Sequence, residues 1–324
     1  MSGLPRRSVL AGAAAALATA PARAAAWPDR PVTWIVPYPP GGGSDLFARP
    51  IAALLHQRLG EAMTIDNRSG AGGTVGAAVA ARAAPDGHTL LVGDTALTYA
   101  PLVYPSAGFD FGRDFAPIAG LARVPYVLLV NPARLDVASL DAFIAAARQT
   151  PGRIDIGSAG LGSVTHFAIT LFEARAGIRL TTVPYRGGAP MLQDLLAGQV
   201  MAAFVLGNVA APYVQTGKLR ALAVAARRRE PLMPWVPTTA EAGLDEFRAR
   251  TWFGLFAPRG TPEAVLDRLH DEVMMALRDG AVQRLWETRG ARVEIESRAD
   301  FARYVATEIE RWSRIARDAD LRLD

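Results

Sequence analysis

Cysteine is absent from the 324 residues, and lysine occurs once, as Lys218, among 35 basic residues. The first absence excludes a thiol nucleophile, a Cys-ligated zinc or iron–sulfur centre and any disulfide framework. The second excludes a Walker-type nucleotide hydrolase, because Lys218 is followed by Leu219 where a P-loop requires Ser or Thr. A lysine Schiff base would have to rest on that one amine. Histidine is scarce as well, and His56, His88, His166 and His270 form no His-x-x-x-His pair. No Gly-x-Ser-x-Gly nucleophile elbow occurs: Asn67-Arg68 precede Ser69, and Ala159-Gly160-Leu161 follow Ser158. No pair of carboxylates is marked out for glycoside chemistry. The sequence therefore marks out no nucleophile motif, no histidine pair for a metal and no preferred pair of carboxylates.

What is present is apolar. Half of the residues are hydrophobic and 20% are charged, too apolar for a disordered chain and long enough for two domains. Residues 1–26 read as an export segment: Arg6-Arg7 form a basic start, Val9 to Ala20 a short apolar run, and Ala22-Arg23-Ala24 a cleavage signal. Arg6-Arg7-Ser8-Val9-Leu10 also has the order of a twin-arginine signal. The run is shorter than the ~20 residues that span a bilayer. Without a cysteine after it there is no lipid anchor, so a soluble exported product is expected. Its removal takes away Arg6, Arg7 and Arg23 and lowers the formal net charge from +4 to +1. That is no electrostatic footprint for nucleic acid. The densest basic run, Arg227-Arg228-Arg229, is followed at once by Glu230 and reads as a solvated turn.

Short β-branched runs alternate with longer helical patterns. Val32–Val36, Met63–Asp66 and Thr89–Val92 read as strands separated by helices over Asp45–Leu59 and Thr74–Ala83. This βαβαβ order predicts a parallel sheet covered by helices. The pattern restarts after Arg123: strands near Tyr126–Val130, Ile154–Ile156, Thr181–Pro184, Met201–Val205 and Leu219–Val224 enclose helices over Ser139–Arg148, Val164–Ala176 and Met191–Ala197. An extended run, Trp252–Ala257, and helices near Pro262–Arg278 and Ala299–Arg317 close the chain. Two α/β units predict two lobes with a cleft at the carboxyl ends of their strands.

Four glycine-rich turns lie at those strand ends. They are Pro39-Pro40-Gly41-Gly42-Gly43-Ser44-Asp45, Ser69-Gly70-Ala71-Gly72-Gly73-Thr74, Gly157-Ser158-Ala159-Gly160-Leu161-Gly162-Ser163 and Tyr185-Arg186-Gly187-Gly188-Ala189-Pro190. Each leads into a helix, with Asp45, Thr74 and Ser163 as expected N-caps and Pro190 in a first helical turn. Free N–H groups at such ends suit a small anion, above all a carboxylate, without any lysine. Taken singly, each turn can merely close a βα connection; the pairing of two per lobe carries the signal. Gly70, Gly72 and Gly76, with Asp94 as a ribose acid, invite a dinucleotide reading, but the spacing is one residue too long. His166, in the first turn of its helix, is either a ligand contact or a packed helix end. Asn208, after a second-lobe strand, is either an amide offered to ligand or a helix cap.

These motifs resemble the Bug family, the extracytoplasmic solute receptors associated with tripartite tricarboxylate transporters. The similarity is carried by Tyr38 to Asp45, Asn67 to Gly73, Ala84 to Leu91 and Asp114 to Ile118, then by Gly157 to His166, Val183 to Pro190, Asp194 to Val200, Gly217 to Val224 and Val236 to Gly243. The resemblance implies a type II periplasmic-binding-protein fold, two α/β lobes closing on a ligand, with 27–124 plus 250–324 as one lobe and 125–249 as the other. It implies a periplasmic, monomeric receptor for a small carboxylate, such as an organic acid, an acidic amino acid or an aromatic acid. Its partners would be membrane subunits of a tripartite tricarboxylate-type transporter or a sensor protein, with no cofactor. The implied contacts are Tyr38, Gly42, Gly43, Ser44, Gly72 and Gly73 from the first lobe. Those from the second are Ser158, Gly160, Ser163, Thr165, His166 and Tyr185; Thr95, Arg186 and Asn208 are further candidates. Where family members carry an acid after Gly198-Gln199-Val200, this chain has Met201, read as either a less polar pocket or a repacked core. The rival readings are an exported hydrolase or dehydrogenase using His166 or Asp94, and an orphan receptor that feeds a sensor kinase.

Overall fold

The computed structural model describes residues 27–245, 247–293 and 295–318. The expected export segment lies outside the described residues. In chain order the elements are β1 (Val32–Val36), α1 (Gly43–Leu59), β2 (Met63–Asn67), α2 (Thr74–Ala81), β3 (Thr89–Asp94), the short helices α3 (Ala100–Val103) and α4 (Phe111–Asp114), and the long strand β4 (Phe115–Val130). There follow α5 (Leu140–Gln149), β5 (Asp155–Ser158), α6 (Val164–Ala176), β6 (Thr181–Pro184), α7 (Gly188–Ala197), β7 (Ala202–Leu206), α8 (Gly207–Gln215) and β8 (Arg220–Val224). Strand β9 (Arg250–Pro258) and helices α9 (Glu263–Leu277), α10 (Gly280–Thr288) and α11 (Arg298–Asp318) complete the described chain.

The strands run in the order β2-β1-β3-β9-β4-β7-β5-β6, with β8 also on β4. The predicted parallel sheet is only partly right. β1, β2 and β3 are parallel, as are β5, β6 and β7, but β9 enters antiparallel between β3 and β4. β4 is antiparallel to β7 and β8 too. The reason lies in β4, which continues without a break through residues 115–130 and serves two lobes. At ~3.3 Å per residue such a strand reaches about 50 Å. Its Phe115–Pro125 half pairs with β9, and its Tyr126–Val130 half pairs with β7. The two α/β lobes are joined through this strand.

Both faces of each half-sheet are buried, as period-two alternation requires. In the first lobe Trp34, Leu90 and Leu255 point into a core with Phe47, Leu55 and Leu269 of α1 and α9. Their chain neighbours Ile35, Leu91 and Phe256 point into the opposite core with Phe111, Trp252 and Phe301. In the second lobe Leu128 and Phe204 face α5 and α6, while Val127 and Val205 face α7 and α8. A smaller apolar cluster spans the lobes, joining Tyr99, Val103 and Trp312 to Val164 and Phe167 of α6. Met201 packs against the second-lobe core, where its carbonyl accepts the Asn131 amide at 3.0 Å, and Phe204 is 1% exposed within that core.

Candidate functional site

The first-lobe turns are brought together by strand register. β1 and β2 align Val36 with Asn67, and β1 and β3 align Ile35 with Leu91, so Tyr38 continues alongside Asp94. The Tyr38 hydroxyl donates to Asp94 Oδ1 at 3.0 Å and lies 3.4 Å from the Gly72 carbonyl. Gly73 closes against the same ring: a Cβ there would stand 3.0 Å from the Tyr38 hydroxyl, on a backbone with φ +97°. Glycine is required at that position by both space and dihedral.

Helix α1 opens at this junction. Its N-cap is Gly42, and the first intrahelical bond runs from Leu46 N–H to the Gly42 carbonyl at 2.9 Å, leaving the amides of Gly43, Ser44 and Asp45 ahead of it. The Ser44 hydroxyl is buried with no partner among the described residues. Gly43 lies so close to Phe253 that a Cβ would meet the ring at 2.6 Å. Asp45, expected as the cap, stands instead at the third helical position. Its Oδ2 accepts the Gly41 amide at 2.9 Å and Arg49 Nε at 2.8 Å, while Oδ1 accepts Arg49 Nη2 at 2.7 Å and Asn67 Nδ2 at 3.1 Å. Burial works to raise this carboxyl's pKa, but the bonds from Arg49, Gly41 and Asn67 outweigh it and hold the group below the ordinary aspartate value. Asn67 also donates to the Tyr38 carbonyl at 3.0 Å, so one carboxylate ties both glycine turns together. Thr74, likewise expected as a cap, is the first residue of α2 behind the cap Gly73, and its hydroxyl donates to the Ala71 carbonyl at 2.9 Å.

The second-lobe turn before α6 is more self-contained. Ser163 caps the helix as expected, accepting the His166 amide at 3.2 Å. Thr165 Oγ1 accepts the Ala159 amide at 2.8 Å, Ser158 Oγ lies 3.4 Å from the Gly160 amide, and His166 Nδ1 accepts the Gly162 amide at 3.2 Å. Three amides that the glycine pattern left open for a ligand are thus held within the turn. Accepting at Nδ1 puts the His166 proton on Nε2, and burial lowers the imidazole's pKa, keeping the ring neutral at pH 7. Tyr185 donates its hydroxyl to Asp194 Oδ2 at 2.9 Å, and burial followed by that bond lifts its pKa to about 12. Arg186 is exposed beside it.

Thr95 is 0% exposed, and its hydroxyl oxygen accepts the Trp252 amide at 3.0 Å, bracing β9. Asn208, inside α8 rather than at its cap Leu206, lies beside Gly290 and Glu230, and its Oδ1 is buried without a protein partner. Sequence reasoning missed the Asp45–Arg49–Asn67 clamp and the phenols around Asp94. Tyr99 and Tyr126 both feel the Asp94 charge, and the Tyr99 hydroxyl is buried without a partner.

The chain matches the family model described as "Tripartite tricarboxylate transporter family receptor" over residues 47–321. It belongs to that family. BugT of Bordetella pertussis is 36% identical over 309 residues, 94% of each chain. Among solved structures, "R. palustris Rpa4515 with adipate" is 37% identical with a TM-score of 0.82, covering 92% of this chain and 100% of its own. "MatC (Rpa3494) from Rhodopseudomonas palustris with bound malate" is 36% identical with a TM-score of 0.78, covering 89% and 99%. The two-lobe architecture is that of periplasmic solute-binding proteins. No helix among the described residues is long and apolar enough to cross a membrane.

Proposed function

We propose that the chain is an exported periplasmic receptor that captures a small organic acid between its lobes and presents it to membrane subunits of a tripartite tricarboxylate transporter. The lobes in this reading are 27–124 with 250–324, and 125–249. The observation that carries it is the start of α1. Three amides and the buried, unpartnered Ser44 hydroxyl gather there beside the Tyr38–Gly72 turn, with the positive end of a 17-residue helix behind them. A carboxylate accepts from such donors without a cationic side chain. The adipate and malate named with the two similar structures are acids of this kind. In this reading Gly42, Gly43, Ser44, Gly72 and Gly73 hold one carboxylate, and Ser158, His166 Nε2, Tyr185 and Arg186 approach from the second lobe on closure. The protein acts by binding alone, as a receptor and not as an enzyme.

Adipate and malate are the first probes. A ligand that binds only the native state at 100-fold over its Kd stabilises by about 2.7 kcal/mol, which reads as a rise in melting temperature. Calorimetric titration then gives the affinity, and Ser44→Ala weakens it about tenfold, the worth of one hydrogen bond to a charged group. If four- to six-carbon acids give neither heat nor a melting shift while a neutral sugar or a cation does, the reading is wrong.

A further inference from the structure

The base of the first-lobe turns holds more acceptors than an anion site needs. Asp94 is 8% exposed, yet among the described residues no cationic side chain pairs with it. Its Oδ1 accepts from the Tyr38 hydroxyl and from the Leu97 amide at 3.3 Å. A hydroxyl has one proton to give. With that proton directed at Asp94, partly buried Tyr38 offers its neighbourhood only lone pairs, and the Gly72 carbonyl adds another acceptor 3.4 Å away. A ligand carboxylate meets donors at the start of α1 but would meet only acceptors at Tyr38.

The geometry points to a second subsite at Tyr38, oriented by Asp94, that selects among small carboxylic acids those carrying a hydroxyl or ammonium group next to the bound carboxylate. It rests on the carboxylate-receptor reading above and narrows its ligand class to hydroxy and amino acids. The ligand's O–H or N–H donates to Tyr38 Oη, and Tyr38 in turn donates to Asp94, a chain in which each bond polarises the next. Asp94 is a positioning residue in this chain: it fixes which way the phenol proton points and supplies the negative charge that makes the outer contact charge-assisted.

Matched sets of acids test this directly. Succinate, malate and aspartate share one four-carbon skeleton and differ in hydrogen, hydroxyl or ammonium at a single carbon; glutarate, 2-hydroxyglutarate and glutamate repeat the comparison one carbon longer. Benzoate and mandelate extend it to aromatic acids. Calorimetric titration of the full mature chain is expected to show a donor-bearing member binding at least about tenfold tighter than its unsubstituted partner. Asp94→Asn and Tyr38→Phe are expected to collapse that ratio toward one. A merely structural role would weaken both members alike. Equal binding within every set in the unaltered protein overturns the inference and leaves the carboxylate reading intact; so does a ratio unchanged in Tyr38→Phe. Absence of binding by every acid in the sets overturns the inference, and absence of binding by adipate as well overturns the carboxylate reading itself.

Discussion

At the scale of single residues, Asp94 is a carboxyl displaced far from its solution behaviour. Burial lifts its pKa from 3.8 to about 6, against the opposing bonds from Tyr38 and the Leu97 and Ala96 amides. A carboxyl that holds its proton more tightly when folded stabilises the fold most below its unfolded pKa, and that contribution is lost as the pH rises through its folded pKa. The window runs from 3.8 to about 6. At about 1.4 kcal/mol per unit, the stability of the unaltered protein falls relative to Asp94→Asn by about 3 kcal/mol across it. Urea unfolding of both proteins at about pH 4.5 and pH 7.5, without ligand, captures about 2 kcal/mol of this change, because part of the window lies below pH 4.5; parallel stabilities at the two values would mean that the charge is compensated. Asp94 shows why residue roles were only half legible. From the sequence it was a ribose acid in a motif of the wrong spacing. Only the β1–β3 register, unknown from the sequence, sets it against Tyr38.

At the scale of elements, the sequence disclosed what hydrophobic periodicity and capping chemistry encode. The spans expected for β1, α6 and β6 are those observed. The first half of β4 was invisible because Pro117, Gly120 and Pro125 interrupt it; its pairing with β9 shifts register at Pro117/Ala119 and at Gly120/Ala122. α8 was given no span because it begins at Gly207-Asn208 and carries Pro212. The caps of α1 and α2 were misplaced because glycines displaced Asp45 and Thr74 into the helices. Asp45 gained a larger role by this, as the clamp on both glycine turns. Asp45→Ala leaves the Gly41 amide without its acceptor and takes one of two acceptors from the Asn67 side chain. With Arg49 half in solvent, the expected loss is about 2–3 kcal/mol of stability. Acid affinity should fall with it because the amides at the start of α1 lose their fixed direction. Melting and titration of Asp45→Ala beside Asp45→Asn read both; unchanged affinity would detach the clamp from the site.

At the scale of the whole molecule, the two-lobe plan and the family were legible because long motifs recur in order along most of the chain. How the lobes meet was not. Tyr99 packs edge-on against Phe167 across the seam, with ring centroids 4.9 Å apart, and Trp312 of α11 stands 5.9 Å from Tyr99. If closure on the ligand uses this contact, a double-mutant cycle of Tyr99→Leu and Phe167→Leu on acid affinity should give a coupling of about 0.5–1.5 kcal/mol. Additive effects would show that the rings do not meet in the bound state. The crossing strands carry a further consequence. Pro125 pairs directly with Arg250, and the Tyr126 amide donates to the Ala249 carbonyl at 2.9 Å, so the chain leaves the first lobe and returns to it at neighbouring rungs of one ladder. In topological terms, everything between those rungs is an insert in a hairpin. A two-residue turn could close the parent sheet, and a descendant could exchange the insert, and half the ligand's surroundings, without redrawing the host.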